Sequence, residues 1–442
     1  MLPPLLTQDD ILALAGVCVK LRRIFRPLVK FTITIVLGDS SNYALWKALA
    51  ITRASTIRDS VEKLNIGQMT SWWSSRWIDQ FPIILSPTLF TLTRAVPAMR
   101  QLHTVQLSQI FLSRTFLYCI LSSSHLTYLI LEAVHLPEIN TFPQPPWPPK
   151  LRKLALHEMY SWGALEPLIA LVATSLEYLE FHCCDFKFQS QHQFHLPSFS
   201  CLQELRHYQT NRSQFDHQIM LSKLLQLGPR VTQLHIFGKL NHPGIPSPPK
   251  SLQHLSTDEW MPSRNVFGVG PWSQLTSLTI HGDIFIKERR RLNLAQCIRH
   301  HFPGITSLQL HIPWTLRNLA LVLARSQQNV LELVIVFTYN WEEGEKREVE
   351  VGIPAGYLRS AILPAALRSL RLDIGPGTDQ GMGPWTWWVN NHILPAETGL
   401  GGPDLRSIEL SLIQPESRSE RQRVRRRRRW DKSPNGDWEI DE

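Results

Sequence analysis

The sequence lacks a stretch long enough to cross a membrane, and it lacks the short motifs typical of enzyme active sites. Its longest apolar run, residues 11–19, has nine residues, whereas a transmembrane helix needs about 20. No G-x-S-x-G nucleophile turn, no phosphate-binding P-loop and no H-E-x-x-H zinc motif occurs. These absences predict a protein that makes no membrane contact, is not an enzyme and requires no cofactor.

Cysteine is also scarce, because the chain has six cysteines among 442 residues and no C-x-x-C pair. Disulfide scaffolds are denser in cysteine, and structural zinc sites need four converging ligands. We therefore expect neither disulfides nor a bound metal, and we expect a cytoplasmic and/or nuclear location.

Basic charge is concentrated in one short segment. Residues 418–432 contain nine basic and two acidic residues, which accounts for seven of the nine net positive charges. No sequence-specific nucleic-acid binding is expected, because nothing in this segment would read base edges. Its run of arginines has three interpretations that stay open: a nuclear-localisation signal, a nonspecific polyanion contact or a solvated tail. The run comprises Arg425, Arg426, Arg427, Arg428 and Arg429.

An apolar hexamer, L-x-x-L-x-L with other aliphatic or aromatic residues allowed, recurs along the chain. The starts from Leu102 to Val330 are 21 to 30 residues apart, and a leucine-rich repeat has about 20 to 29 residues. Two copies lack the last apolar residue. The thirteen copies start at Val61, Leu102, Leu126, Leu151, Leu176, Leu202, Val231, Leu252, Leu275, Ile305, Val330, Leu367 and Leu405.

Each hexamer is typical of a half-buried strand. Positions 4 and 6 share one face because strand side chains alternate, while positions 3 and 5 point outward. The segments between hexamers, such as residues 164–173, have the apolar spacing of a helix, and proline or glycine precedes the next strand. We expect an α/β solenoid in which parallel strands alternate with helices and the outward residues hold a client protein. The client-face candidates are Tyr128, Glu180, Gln233, Ser277 and Arg371.

The segment that starts at Leu176, LEYLEFHCCDF, fits the leucine-rich-repeat consensus L-x-x-L-x-L-x-x-N/C-x-L, with Cys184 at the Asn/Cys position. The segment LTYLILEAVHL fits except at Val134. The chain therefore resembles leucine-rich-repeat proteins over about residues 58–412. It looks like the irregular, long-repeat solenoids that follow F-box domains in fungal proteins. The resemblance implies a leucine-rich-repeat-type solenoid whose strand face binds another protein.

Residues 7–29 resemble the second half of an F-box. Their apolar spacing predicts an amphipathic helix, and four residues match the small-Val-Cys-x-x-Leu-Arg ending of that motif. The resemblance implies docking to a Skp-type adaptor of a cullin–RING ubiquitin ligase, with a strand over residues 28–37 leading into the repeats. Only six residues precede this segment, so the F-box is expected to be truncated; the alternative is a helix that caps the solenoid. The adaptor-binding candidates are Leu14, Val17, Cys18, Leu21 and Arg22.

These patterns divide the chain into four segments. They are a truncated F-box-like helical segment (1–37), an irregular N-terminal cap (38–100), the leucine-rich-repeat-like solenoid (101–412) and a disordered basic and acidic tail (413–442). The expected function is substrate recognition for an SCF-type ubiquitin ligase; the alternative is a repeat scaffold without a ligase connection, in the nucleus. Two tryptophan clusters interrupt the repeat spacing, where they would either pack in the solenoid or bind a partner: Trp72, Trp73, Trp77, Trp385, Trp387 and Trp388.

Overall fold

A computed structural model describes the chain over residues 30–37, 42–68, 87–136, 150–159, 161–184, 195–208, 215–238, 249–258, 272–281, 298–313, 329–338, 363–374, 386, 389–394, 404–415, 422–435 and 437–441. The chain divides into two compact units. Unit 1 comprises Met1–Val231 and unit 2 comprises Thr232–Glu442.

Unit 1 contains a parallel sheet whose strands lie side by side in chain order. Each strand is followed in the sheet by the next one along the chain, so the sheet grows by one strand per repeat. Its strands are β1 (Phe31–Leu37), β2 (Val61–Gln68), β3 (Thr104–Ser108), β4 (Tyr128–Glu132), β5 (Lys153–His157), β6 (Tyr178–His182) and β7 (Glu204–Tyr208).

Helices connect the strands of unit 1 where the apolar spacing allows them. In α4 the four buried residues are two adjacent pairs four positions apart, which places them on one side of the helix. The Ser113 hydroxyl caps this helix by accepting a hydrogen bond from the Phe116 N–H at 3.1 Å. The helices are α1 (Asn42–Arg53), α2 (Ser55–Arg58), α3 (Pro87–Ala95), α4 (Arg114–Leu121), α5 (Trp162–Val172) and α6 (Phe215–Leu227).

Unit 2 continues the same strand arrangement and ends differently. Strands β8 to β14 are parallel, whereas β15 pairs antiparallel with β14, and β16 pairs antiparallel with β15. The strands are β8 (Gln233–Phe237), β9 (His254–Asp258), β10 (Ser277–His281), β11 (Ser307–Pro313), β12 (Glu332–Thr338), β13 (Ser369–Ile374), β14 (Ser407–Pro415), β15 (Gln422–Lys432) and β16 (Trp438–Asp441).

All thirteen hexamers form strands, which confirms the predicted α/β leucine-rich-repeat-type solenoid. Position 4 supplies an apolar ladder: Leu129, Leu154 and Leu179 are aligned on adjacent strands and have no exposed surface. Burying one leucine side chain stabilises the fold by about 2 kcal/mol. The two hexamers without a final apolar residue keep the same geometry, because His207 and Thr257 occupy the buried position 6 instead.

A recurrent turn follows each strand from β3 to β6. Residues with positive φ stand two positions after the hexamer, and each donates its backbone N–H to a carbonyl at the end of the next strand at 2.8 Å. This left-handed conformation costs non-glycine residues energy, and β8 uses Gly238 there, with φ 107°. The non-glycine residues in this conformation are Gln109, Ala133, Glu158 and Cys183.

The two ends of the chain compare differently with the predictions. The expected strand near residues 28–37 is present as β1, which pairs in parallel with β2. The expected disordered tail, residues 413–442, needs correction, because it contains all of β15 and all of β16. The physical reason is Trp430, which is fully buried and anchors the hairpin against the end of the sheet.

Candidate binding surface

The outward residues of the strands form the candidate surface. We number the hexamer 1 to 6, call the next residue position 7, and use strand face for the side chains at positions 3, 5 and 7. In β3, β4 and β7, burial alternates so that these three positions are partly exposed and positions 4 and 6 are buried. The strand direction therefore dictates which side chains a partner can reach.

The five predicted client-face residues all lie on the strand face. Tyr128 and Glu180 belong to unit 1, and Gln233, Ser277 and Arg371 belong to unit 2. Gln233 is exposed and the other four are partly exposed. Their role in binding a client stays a prediction.

The centre of the unit 1 strand face is a tyrosine–cation cluster, which we define as Tyr128, Lys153, Tyr178 and Arg206. The two tyrosine rings meet edge to face, with their centroids 6.4 Å apart. The Lys153 ammonium lies 5.8 Å from the centroid of the Tyr178 ring, and the Arg206 guanidinium carbon lies 5.3 Å from it. Both distances are within cation–π range, so one ring orients two cations.

Glu180 lies beside this cluster and is mostly covered, with 13% of its side chain exposed. The Tyr178 hydroxyl donates a hydrogen bond to one carboxylate oxygen, and His157 Nε2 lies 3.4 Å from the other. Burial by itself would raise the pKa of the Glu180 carboxyl, but His157, Tyr178 and the Arg206 charge hold that pKa below its ordinary value. Burial and the bond to Glu180 raise the pKa of Tyr178. The pair is therefore an ionised carboxylate and a neutral phenol at neutral pH.

Unit 2 carries four histidines on β8 to β11, which we call the imidazole cluster: His235, His254, His281 and His311. The rings of His281 and His311 stack with centroids 4.1 Å apart, and those of His235 and His254 are 5.6 Å apart. Hydroxyl and amide groups surround them. His254 Nδ1 is 2.8 Å from the Ser277 hydroxyl.

Two rings of the imidazole cluster, those of His281 and His311, favour the neutral form. Burial lowers the pKa of His281 to about 3, and the neighbouring histidine charges act in the same direction. Burial also lowers the pKa of His311 to about 4. Ser256 lies 3.2 Å from His281 Nε2 and Gln309 lies 2.7 Å from His311 Nε2, so polar but uncharged partners satisfy the rings.

The last strands of unit 2 carry an ion-pair network in place of a free arginine run. Arg371 contacts Asp373 at 2.8 Å and Glu409 at 3.7 Å. Arg427 contacts Glu409 at 2.7 Å, while Arg429 contacts Asp431 at 2.7 Å. Arg427 therefore meets a carboxylate of the strand face, while Arg429 pairs with a carboxylate of its own strand.

Arg428 occupies the opposite side of β15, where its guanidinium donates a hydrogen bond to the Thr386 hydroxyl at 3.3 Å. The side chains of Arg425 and Arg426 lie outside the described residues. A nuclear-localisation role for the arginine run stays a prediction.

Several predicted features lie outside the described residues. These are the adaptor-binding candidates Leu14, Val17, Cys18, Leu21 and Arg22, together with both tryptophan clusters. Within the described ranges, no group of three or more histidine, cysteine or acidic side chains is arranged to hold a metal ion. Cys184 is buried, and its thiol donates to the Leu156 carbonyl at 3.2 Å, as expected for a packed ladder residue.

Position 7 is the part of the surface that the sequence pattern missed. It supplies His157 and His182 in unit 1 and His281 and His311 in unit 2. The predicted outward positions are 3 and 5 of the hexamer, so they do not include these residues. The signal was a polar residue directly after ten of the thirteen hexamers, because a strand that continues by one residue points that side chain outward.

Comparison with known proteins adds little to this geometry. No family model matches the sequence, and no curated protein matches it. Among solved structures, one match is the crystal structure of a TLR13–ssRNA13 complex, with 14% sequence identity and a TM-score of 0.32. The alignment covers 72% of this chain and 41% of that chain, so this chain spans less than half the length of that protein. The fold assignment therefore depends on the strands described above.

No helix within the described ranges is long and apolar enough to cross a membrane.

Proposed function

We propose that the protein is an interaction module whose strand face binds a client protein. The observation that supports this is the composition of the unit 1 strand face, where tyrosines, an arginine and a lysine cluster on a rigid sheet. Tyrosine and arginine are enriched among residues that dominate binding energy. Parallel-strand surfaces of solenoids offer large binding areas to proteins.

The finer proposal is that the module recognises substrates for an SCF-type ubiquitin ligase. It is supported by the resemblance of residues 7–29 to the second half of an F-box, and by β1, which follows that segment directly and opens the sheet. In this arrangement the N-terminal segment would dock to a Skp-type adaptor while the strand face holds the client.

Site-specific crosslinking tests the client surface. A photoreactive amino acid is placed at Gln106 or His182, which lie on the unit 1 strand face, or at Trp46, which is 69% exposed on α1. We expect the strand-face positions to crosslink the same protein in cells and the Trp46 position not to crosslink it. Equal labelling from α1, or no shared product from the strand-face positions, would contradict the proposal.

A binding assay with a purified Skp-type adaptor tests the ligase proposal. The expected result is retention of the full chain and its loss in the double variant Val17→Asp, Leu21→Asp. The control is Lys20→Asp, Arg23→Asp, which changes the opposite side of the predicted helix and should retain the adaptor. If the wild-type chain binds no adaptor while its sheet is intact by circular dichroism, the ligase role fails and a scaffold without a ligase connection is left.

A further inference from the structure

The two cations of the tyrosine–cation cluster have unused hydrogen-bond donors. Arg206 binds Glu204 through Nε at 2.7 Å, and its two terminal amino groups make no hydrogen bond among the residues that the structure describes. Lys153 is exposed and contacts the Tyr178 ring, with no carboxylate within salt-bridge distance in the described ranges. Both cations are held in place by the same ring, which lowers the entropy cost of binding an anion.

The acidic groups around these cations already have partners within the protein. Glu180 accepts from Tyr178 and faces His157, and Glu204 accepts from Arg206. Among the described residues, the Arg206 guanidinium therefore donates a hydrogen bond only through Nε. The Lys153 ammonium contacts the Tyr178 ring but none of the described carboxylates. What the cluster offers outward is a small set of N–H donors beside two aromatic rings.

We infer that Lys153 and Arg206 form a subsite over the Tyr178 ring for one carboxylate side chain of the client. This inference rests on the proposal that the strand face binds a client protein. The tyrosine rings would contact the apolar part of the same segment. A charge-assisted hydrogen bond to a carboxylate is about twice as strong as a neutral one, so this contact would select acidic segments.

The surroundings favour a single carboxylate over a polyanion. Glu132, Glu180 and Glu204 lie on the same part of the strand face as the two cations. A nucleic acid releases many counterions by contacting many cations, and here three carboxylates would repel its phosphates. One client aspartate or glutamate brings a single charge, and the nearby carboxylates already accept hydrogen bonds from Ser108, Tyr178 and Arg206.

The test is selection from a random-peptide phage library on the full chain. Wild-type protein should enrich aspartate or glutamate at one position beside an apolar or aromatic residue. The variant Lys153→Met should lose this enrichment. Arg152→Met is the matched control, because it removes the same charge from the adjacent residue, which is exposed at position 2 and paired with Glu177 at 3.5 Å; it should retain the enrichment.

A selected peptide, made synthetically, gives the quantitative measure. We expect Lys153→Met to weaken its binding about tenfold, and Arg152→Met to leave it nearly unchanged. The same thermal midpoint for both variants would show that folding is intact.

Three results would overturn the subsite: no acidic enrichment by wild type, enrichment that survives Lys153→Met, or equal loss in Arg152→Met. Crosslinks from the strand face together with any of these would leave the client surface standing without the subsite. Peptide binding that depends on Lys153, without client crosslinks, would support the carboxylate subsite and contradict the proposed client surface.

Discussion

The strand faces of the two units share one backbone geometry and differ in chemistry. In unit 1 the face is ionised, with Glu180 and Arg206 on adjacent strands within a paired network. In the first strands of unit 2 the same positions hold stacked, neutral histidines with hydroxyl neighbours. Charge is tolerated in unit 1 because each carboxylate has a donor. The comparison teaches that the repeat dictates where side chains point, while the residue at each step decides whether the surface carries charge.

Lowering the pH should produce the largest difference in stability between the two units. His281 and His311 have pKa values lowered from 6.5 to about 3 and about 4, so the unfolded chain binds more protons than the folded one below pH 6.5. Their contribution is complete above pH 6.5 and is lost as the pH falls toward these folded values. We expect unit 2 to lose on the order of 3 kcal/mol over this range.

The stability of unit 1 should fall only at a lower pH than that of unit 2. The pKa of Glu180 is lowered from 4.5, so its contribution is present above pH 4.5 and is lost as the pH falls through its folded value. Hydrogen exchange, corrected for the intrinsic rate at each pH, would show unit 2 opening first near pH 5. The control variant His281→Gln, His311→Gln should not show this loss of protection in unit 2 near pH 5. An equal loss of protection in both units above pH 4.5 would contradict the prediction.

Removing the central carboxylate of unit 1 should have a smaller effect. Glu180→Gln keeps the shape and loses the charge that Tyr178 and His157 face, and we expect the free energy of unfolding to fall by about 1 kcal/mol. Glu177→Gln, one residue before the same strand, is the control, because its contact with Arg152 is exposed and should contribute almost nothing. Urea unfolding measures both. Equal effects would mean that the network does not stabilise unit 1.

Changes in the turn after each strand should have opposite signs in the two units, and the change in unit 1 is the smallest effect expected. Ala133→Gly in unit 1 relieves a positive φ of 49° and should stabilise the protein by about 0.5 kcal/mol. Gly238→Ala in unit 2 introduces a side chain at φ 107° and should destabilise it by about 1 kcal/mol or more. Thermal unfolding of the two variants checks this, and a shift in the same direction for both would contradict it.

The strands were predictable because burial at positions 4 and 6 leaves a period of two in the sequence. The pattern even located strands at His207 and Thr257, where a polar residue fills the buried position. Two parts of the surface were not predictable by this route. The imidazole cluster depends on position 7 and on neighbours from other repeats, which no single repeat reveals.

The C-terminal hairpin escaped prediction for a different reason. Arg427 and Arg429 contact carboxylates on one face of β15 while Arg428 lies on the other, so the segment has no apolar period and its sequence predicts a disordered tail. Only the register with β14 shows that Arg427 meets Glu409 and that Trp430 lies opposite Ile408. Such pairing is a property of the tertiary structure, and the local sequence does not encode it.

The reversal of direction at β15 also bears on how such an array could lengthen during evolution. A duplicated repeat can only follow a strand that runs in the common direction and offers its next edge. After β14 that edge is occupied by a strand running the other way, so a copy added there would have to displace it. New repeats would instead be inserted between existing ones, and the hairpin would stay at the end of the lengthened array.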